Sequence, residues 1–329
     1  MAETSDYDPG EWRGHDFSTA RATYAATADR GYTAAVRENK QVNEMVPSSI
    51  STNCEIPLVI ACDVTGSFED WPGEIFRKCA YLDIEGKCYL GDDKEISFAA
   101  IGDATYPDKY YLQVRPFSKG TPIADHLTAL ITTERGGGGD HAESYELAAL
   151  WYARNAHFPN ATQKPIFIFI CDEMCHEVVR RHHAREVHID TTHDVPLEKA
   201  FNELTAKFSV YAIRKKYGSM DAKVREQWVR LLGDEQRVVN LEDPSRVTDL
   251  IFGLLARETG KMKYFREEIE GRQRPEQVAT VYKSLGIDPN SDPDAGDSGK
   301  SRMLLPKDVK KSMHLDLTDD WDAIAPKRK

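Results

Sequence analysis

The chain has 329 residues, 40% of them apolar and 29% charged, with a formal net charge of −11. That length and balance suit one large globular domain with extensions. No apolar run approaches the ~20 residues that span a bilayer, and an acidic chain repels phosphate backbones, so neither a membrane nor a nucleic-acid partner is expected. The opening residues, Met-Ala-Glu-Thr-Ser-Asp, are polar and unlike a secretory leader, so a cytoplasmic location is expected, with the six cysteines as free thiols.

Residues 1–55 show no long apolar period and read as an N-terminal extension carrying a helix or two. Apolar runs at 56–62, 96–101, 110–114, 165–171, 208–213 and 237–241 read as strands. The short gap between 96–101 and 110–114 predicts a hairpin, hence one antiparallel strand. Helical patterns fill most other gaps. Trp71-Pro72, Thr121-Pro122 and Asp243-Pro244 mark helix starts, because proline costs nothing in a first helical turn. Residues 143–156 place Tyr145, Ala149 and Tyr152 at helical spacing. Strands alternating with helices predict an α/β fold, a Rossmann-like, doubly wound, mostly parallel six-stranded sheet with helices on both faces. The main domain is set at 56–264. A C-terminal helical extension follows at 265–287, with Val278, Val281, Tyr282 and Leu285 on one face of a helix starting at Pro275. Residues 288–329 read as a polar linker and tail.

The strongest signal lies at 56–67, Ile-Pro-Leu-Val-Ile-Ala-Cys-Asp-Val-Thr-Gly-Ser. A strand buried on both faces looks like this run, and it ends abruptly in Asp63, with hydroxyls at Thr65 and Ser67. Binding crevices of open α/β sheets lie at such strand ends. One carboxylate and two neutral hydroxyls suit a hard cation such as Mg²⁺. The apolar run Phe-Ile-Phe-Ile-Cys-Asp at 167–172 ends likewise in Asp172. Five of the ten histidines, from His176 to His193, follow it. With Cys171 and Cys175 they invite a zinc reading, but Cys-x₃-Cys-His matches no common structural zinc spacing. The preferred reading is an exposed insertion beside the cleft, with Glu173, His176 and His141 on a partner-binding rim. The tetraglycine 136–139 is followed by Asp140-His141-Ala142-Glu143 rather than the Gly-Lys-Ser/Thr of a phosphate loop. Asp140 serves either as a further ligand or as an N-cap for the helix after it. Arg214-Lys215-Lys216 reads as a solvated strand end.

Asp63-x-Thr65-x-Ser67 resembles the D-x-[ST]-x-S motif of von Willebrand factor A (VWA) domains, whose metal-ion-dependent adhesion site it opens. Gly-Gly-Gly-Gly-Asp-His-Ala-Glu (136–143) is similar to the second loop of some members, and Asp172 to the third-loop aspartate. The resemblance implies the VWA fold and a site of Asp63, Thr65, Ser67, Asp140 and Asp172 holding Mg²⁺, or Mn²⁺ or Ca²⁺ in its place. It further implies a non-enzymatic adaptor of the intracellular prokaryotic or phage type, to which a protein partner supplies a carboxylate. A MoxR-type AAA+ ATPase or a stress or defence assembly would be the setting. The alternative is a haloacid-dehalogenase-like phosphatase with Asp63 as nucleophile; its obstacle is Thr65, where a proton-shuttling carboxylate should stand.

Overall fold

The computed structural model describes residues 40–291, apart from 69, 70, 80, 107, 121 and 132–140. Its centre is a six-stranded sheet built from Leu58–Asp63 (β1), Ile96–Ile101 (β2), Leu112–Val114 (β3), Ile166–Cys171 (β4), Ser209–Lys215 (β5) and Val238–Leu241 (β6). The spatial order is 3-2-1-4-5-6. Five strands run parallel and β3 runs antiparallel to β2, with Ile101 opposite Leu112 and Ala99 opposite Val114. Every residue of β1, β2 and β4 is buried. This explains why those strands read as unbroken apolar runs rather than alternating ones.

The helices are Trp71–Cys79 (α1), Pro122–Thr128 (α2), Tyr145–Asn155 (α3), Leu197–Lys207 (α4), Asp221–Leu232 (α5), Val247–Thr259 (α6), Met262–Arg272 (α7) and Pro275–Leu285 (α8). Alternate residues of β1 sort into two hydrophobic clusters. Leu58, Ile60 and Cys62 pack with Ile75 and Phe76 of α1 and Leu250, Ile251 and Leu254 of α6. Val59 and Ala61 pack with Tyr145 and Trp151 of α3, Phe201 of α4 and Trp228 of α5. The period-2 alternation of strand side chains makes each strand serve both clusters.

The C-terminal helices join the first cluster. Phe265 and Ile269 of α7 and Val278, Val281, Tyr282 and Leu285 of α8 are buried in it. Gly253 of α6 permits this approach: a Cβ there would lie 2.2 Å from Leu285 Cδ1 and 3.2 Å from Phe265 Cζ. Asp243 accepts a hydrogen bond from the Ser245 amide at 2.8 Å and starts the turn that leads into α6. The Cys171–His193 stretch contains a short helix, Arg181–Glu186, and a two-residue strand, Val178–Val179, that pairs antiparallel with Val195–Pro196 just beyond it. Among the described residues, no helix is long and apolar enough to cross a membrane.

Candidate functional site

In this strand order β1 and β4 are neighbours, yet the chain leaves them toward opposite edges of the sheet, β1 to β2 and β4 to β5. Such a reversal opens a crevice at the carboxyl ends of the strands. Asp63 is the last residue of β1, and Asp172 directly follows β4. The topology itself therefore brings the two carboxylates to one crevice.

The side chains around them form a continuous polar chain. Asp63 Oδ1 accepts from the Thr65 amide at 2.7 Å and from the Thr65 hydroxyl at 2.6 Å. Its other oxygen accepts from the Tyr145 hydroxyl, in the first turn of α3. The Thr65 and Ser67 hydroxyls are 3.2 Å apart, and Ser67 donates to Asp172 Oδ1 at 3.2 Å. Asp172 Oδ2 is buried and meets no hydrogen-bond donor among the described residues. Asp63, Thr65, Ser67 and Asp172 are thus brought together. Asp140 lies outside the described residues.

The pocket is electrostatically overloaded. Burial raises the Asp63 carboxyl above its ordinary range, against the pull of hydrogen bonds from Thr65 and Tyr145, and Glu173 pushes it further up. Burial raises Asp172 too, reinforced by the charges of Asp63 and Glu173 and only partly relieved by Ser67 and Lys215. Glu143 follows the same pattern: burial first, then repulsion from Asp63, Asp103 and Glu173. Its Oε2 is also buried without a partner among the described residues. Carboxylates crowded in this way favour protons or a cation between them.

A second Asp-x-Thr turn stands at the end of the neighbouring strand. Asp103 Oδ1 accepts from the Thr105 amide and from the Thr105 hydroxyl, both at 2.8 Å. Gly102 admits the Asp108 carboxylate here, which accepts from the Asp103 amide at 2.7 Å; a Cβ at Gly102 would meet that same oxygen at 2.7 Å. His176 turns toward this second turn, with Nε2 2.8 Å from Asp103 Oδ1 and 3.2 Å from the Thr105 hydroxyl. Burial works against ionisation of Asp103, but the bonds from His176 and Thr105 outweigh it and hold its carboxyl below the ordinary range. Beneath His176, burial pushes Glu146 up to about 8.

The other rim candidates, Glu173 and His141, meet at the Tyr217 hydroxyl. Glu173 is buried, with its carbonyl accepting from Trp228 Nε1 at 3.0 Å. His141 adopts a left-handed backbone, φ 63°, with Nδ1 3.2 Å from the Tyr217 hydroxyl. The remaining histidines of the insertion go elsewhere, His188 to the Asn43 carbonyl and His183 against the Tyr111 ring. Cys171 is fully buried in β4. Among the described residues, no three His, Cys, Asp or Glu side chains are placed to hold a metal ion together.

Three participants escaped the sequence reading. Tyr145 read as one stripe of a core helix, and nothing in its spacing signals that its hydroxyl reaches Asp63. Glu143 was visible only as the carboxylate closing the tetraglycine segment. Lys215 read as part of a solvated strand end, whereas the three residues there have three different fates. Arg214 is fully buried and paired with Asp221 at 2.6 Å. Lys215 donates to the Ser67 carbonyl at 2.8 Å. Lys216 is exposed and paired with Glu242.

No family model matches the chain, and no curated protein matches it. It is similar to solved structures of the pilus adhesin SpaC from Lactobacillus rhamnosus GG. One, in the open conformation, has a TM-score of 0.44 at 10% identity, covering 68% of this chain and 31% of that one. Another crystal form has a TM-score of 0.42 at 11% identity, covering 68% and 32%. The chain thus spans about a third of the length of those adhesins. The identification as a von Willebrand factor A domain is corrected by these findings: no family model and no curated protein supports it, and the two solved structures named here are of a pilus adhesin. The physical reason lies in the motif. Asp-x-Thr is a local turn in which the carboxylate caps its own second-next amide and hydroxyl, and this chain makes it twice, at Asp63 and at Asp103. Turn chemistry at strand ends produces such a motif without kinship.

Proposed function

We propose that the chain is a binding module that holds one hard divalent cation at the crevice between β1 and β4. Mg²⁺ is the first choice, with Mn²⁺ or Ca²⁺ able to replace it, and the cation recognises a carboxylate presented by a protein partner. We read the sheet, with an apolar cluster on each side, as doubly wound, so that this crevice is its ligand end. The observation that carries the reading is Asp172 Oδ2, a buried carboxylate oxygen without a donor among the described residues, beside a second carboxylate that repels it.

The donor set fits a hard cation: carboxylate and hydroxyl oxygens, with no sulfur or imidazole among them. Asp172 offers its unpartnered oxygen, and Thr65 and Ser67 offer hydroxyl lone pairs. Asp63 already accepts three hydrogen bonds. It contributes negative charge and fixes the turn that presents the hydroxyls. The few donors present leave part of a bound cation's coordination shell open, which is the chemistry it would supply: a place for an outside carboxylate oxygen. The phosphatase alternative is less well supported, because position 65 carries a hydroxyl engaged by Asp63 instead of a carboxylic acid able to shuttle a proton.

The test is a pull-down with the wild-type chain in Mg²⁺, the wild-type chain in EDTA, and Asp172→Asn in Mg²⁺. The reading predicts a partner retained only in the first, and lost again when the partner's acidic residues are changed to amides. A partner retained equally in all three would move recognition away from the crevice.

A further inference from the structure

Lys215 is the last residue of β5, and its neighbour Arg214 pairs with Cys171, the last residue of β4. One step further along both strands, Lys215 stands beside Asp172. Its ammonium is held in place from two sides. It donates to the Ser67 carbonyl at 2.8 Å, and it lies 5.0 Å from the centre of the Trp71 ring and 5.6 Å from that of Phe68. Those two rings meet edge to face, 5.8 Å apart. The residue is only half-buried, so a ligand at the crevice comes within its field.

On the cation-binding reading above, we propose that Lys215 is a specificity-determining residue that makes the site prefer a carboxylate together with the cation over the cation alone. A fixed positive charge next to Asp172 repels an arriving cation and attracts an arriving carboxylate. The two effects have opposite signs, so the ammonium links cation binding to partner binding. Its bond to Ser67 and its seat on Trp71 and Phe68 keep that charge from swinging away when the crevice fills. The class of ligand selected is therefore a carboxylate or a similar small oxyanion group, and an amide or hydroxyl side chain is discriminated against.

The experiment uses terbium as a hard, luminescent stand-in for Mg²⁺ and acetate as the carboxylate probe, on the whole chain. Terbium affinity is measured by titration. Acetate binding is read from the loss of coordinated water, as the difference in luminescence lifetime between H₂O and D₂O. Lys215→Met is expected to bind terbium about tenfold more tightly and to need about tenfold more acetate for the same water loss, the size expected for one charge at a partly screened site. Lys215→Arg, which keeps the charge, is expected to stay near wild type in both. Weaker terbium binding by Lys215→Met would show that the lysine only props up the Ser67 loop, and unchanged values would show that it does nothing here; either overturns the proposal. Wild type failing to bind terbium at all would instead overturn the cation site itself, and with it this inference.

Discussion

Asp63 and Asp172 look equivalent in the sequence, each an aspartate ending an apolar run, but the fold treats them differently. Asp63 accepts three hydrogen bonds, one of them from a fully buried tyrosine hydroxyl. Removing its carboxylate leaves that hydroxyl unsatisfied, a loss of about 1–3 kcal/mol. Asp63→Ala is therefore expected to lower stability by that amount in urea denaturation, as well as to lose the cation. Asp172 has an oxygen with no donor among the described residues and a raised carboxyl. Asp172→Asn removes the repulsion and keeps the shape, so its melting temperature without metal should equal or exceed that of wild type. A large drop for Asp172→Asn would show its carboxylate to be a structural group. At His141 the strained backbone is the informative feature, because a non-glycine residue at φ 63° sits in a sparsely populated region. His141→Gly should therefore be tolerated in thermal melts, whereas His141→Val should not.

At the scale of elements, the approach of α6 to α7 and α8 rests on Gly253. A β-branched side chain there would collide with Leu285 and Phe265, and overpacking of this kind typically costs about 1–3 kcal/mol. Gly253→Val should reduce stability in denaturant by that amount and speed hydrogen exchange of the α8 amides. Unchanged exchange in α8 would mean that the helix finds its place without this contact. The strands behave otherwise, since burial on both faces pins their positions. The six apolar runs accordingly lie within about two residues of the observed strands. The hairpin of β2 with β3 was equally legible, because so short a link cannot make a parallel crossover.

For the molecule as a whole, the acidic crevice predicts how stability depends on pH. Carboxyls raised by burial and mutual repulsion keep their protons in the fold at a pH where the unfolded chain has lost them. Their stabilising effect is complete below the ordinary carboxylate range and fades as pH rises through the folded value. For Glu146 that window runs from about 4 to about 8, and Asp63, Asp172 and Glu143 are shifted in the same direction. The metal-free protein should thus melt at progressively lower temperature from mildly acidic to mildly alkaline pH. Mg²⁺ should restore much of the loss above neutrality by replacing the protons shared by Asp63 and Asp172. A melting temperature indifferent to Mg²⁺ across this range would speak against the cation.

How far the sequence reached follows from the same physics. Asp63, Thr65, Ser67 and Asp172 were legible because an apolar run broken by an aspartate is a local pattern, and strand order carries both ends to one crevice. Tyr145, Glu143 and Lys215 were not, because their contacts cross 82 residues between Tyr145 and Asp63, and 148 between Lys215 and Ser67. Only the folded sheet sets which side chains meet over such distances. The family resemblance failed because a short turn motif reports local hydrogen bonding and not descent.

The most direct test of the central claim is a calorimetric titration of Mg²⁺ into the wild-type chain at neutral pH, repeated with Asp172→Asn. One Mg²⁺ bound per chain, lost in the variant while its melting temperature is kept, is the predicted result. No heat of binding in the wild type, or equal binding in both proteins, would contradict a cation held between Asp63 and Asp172.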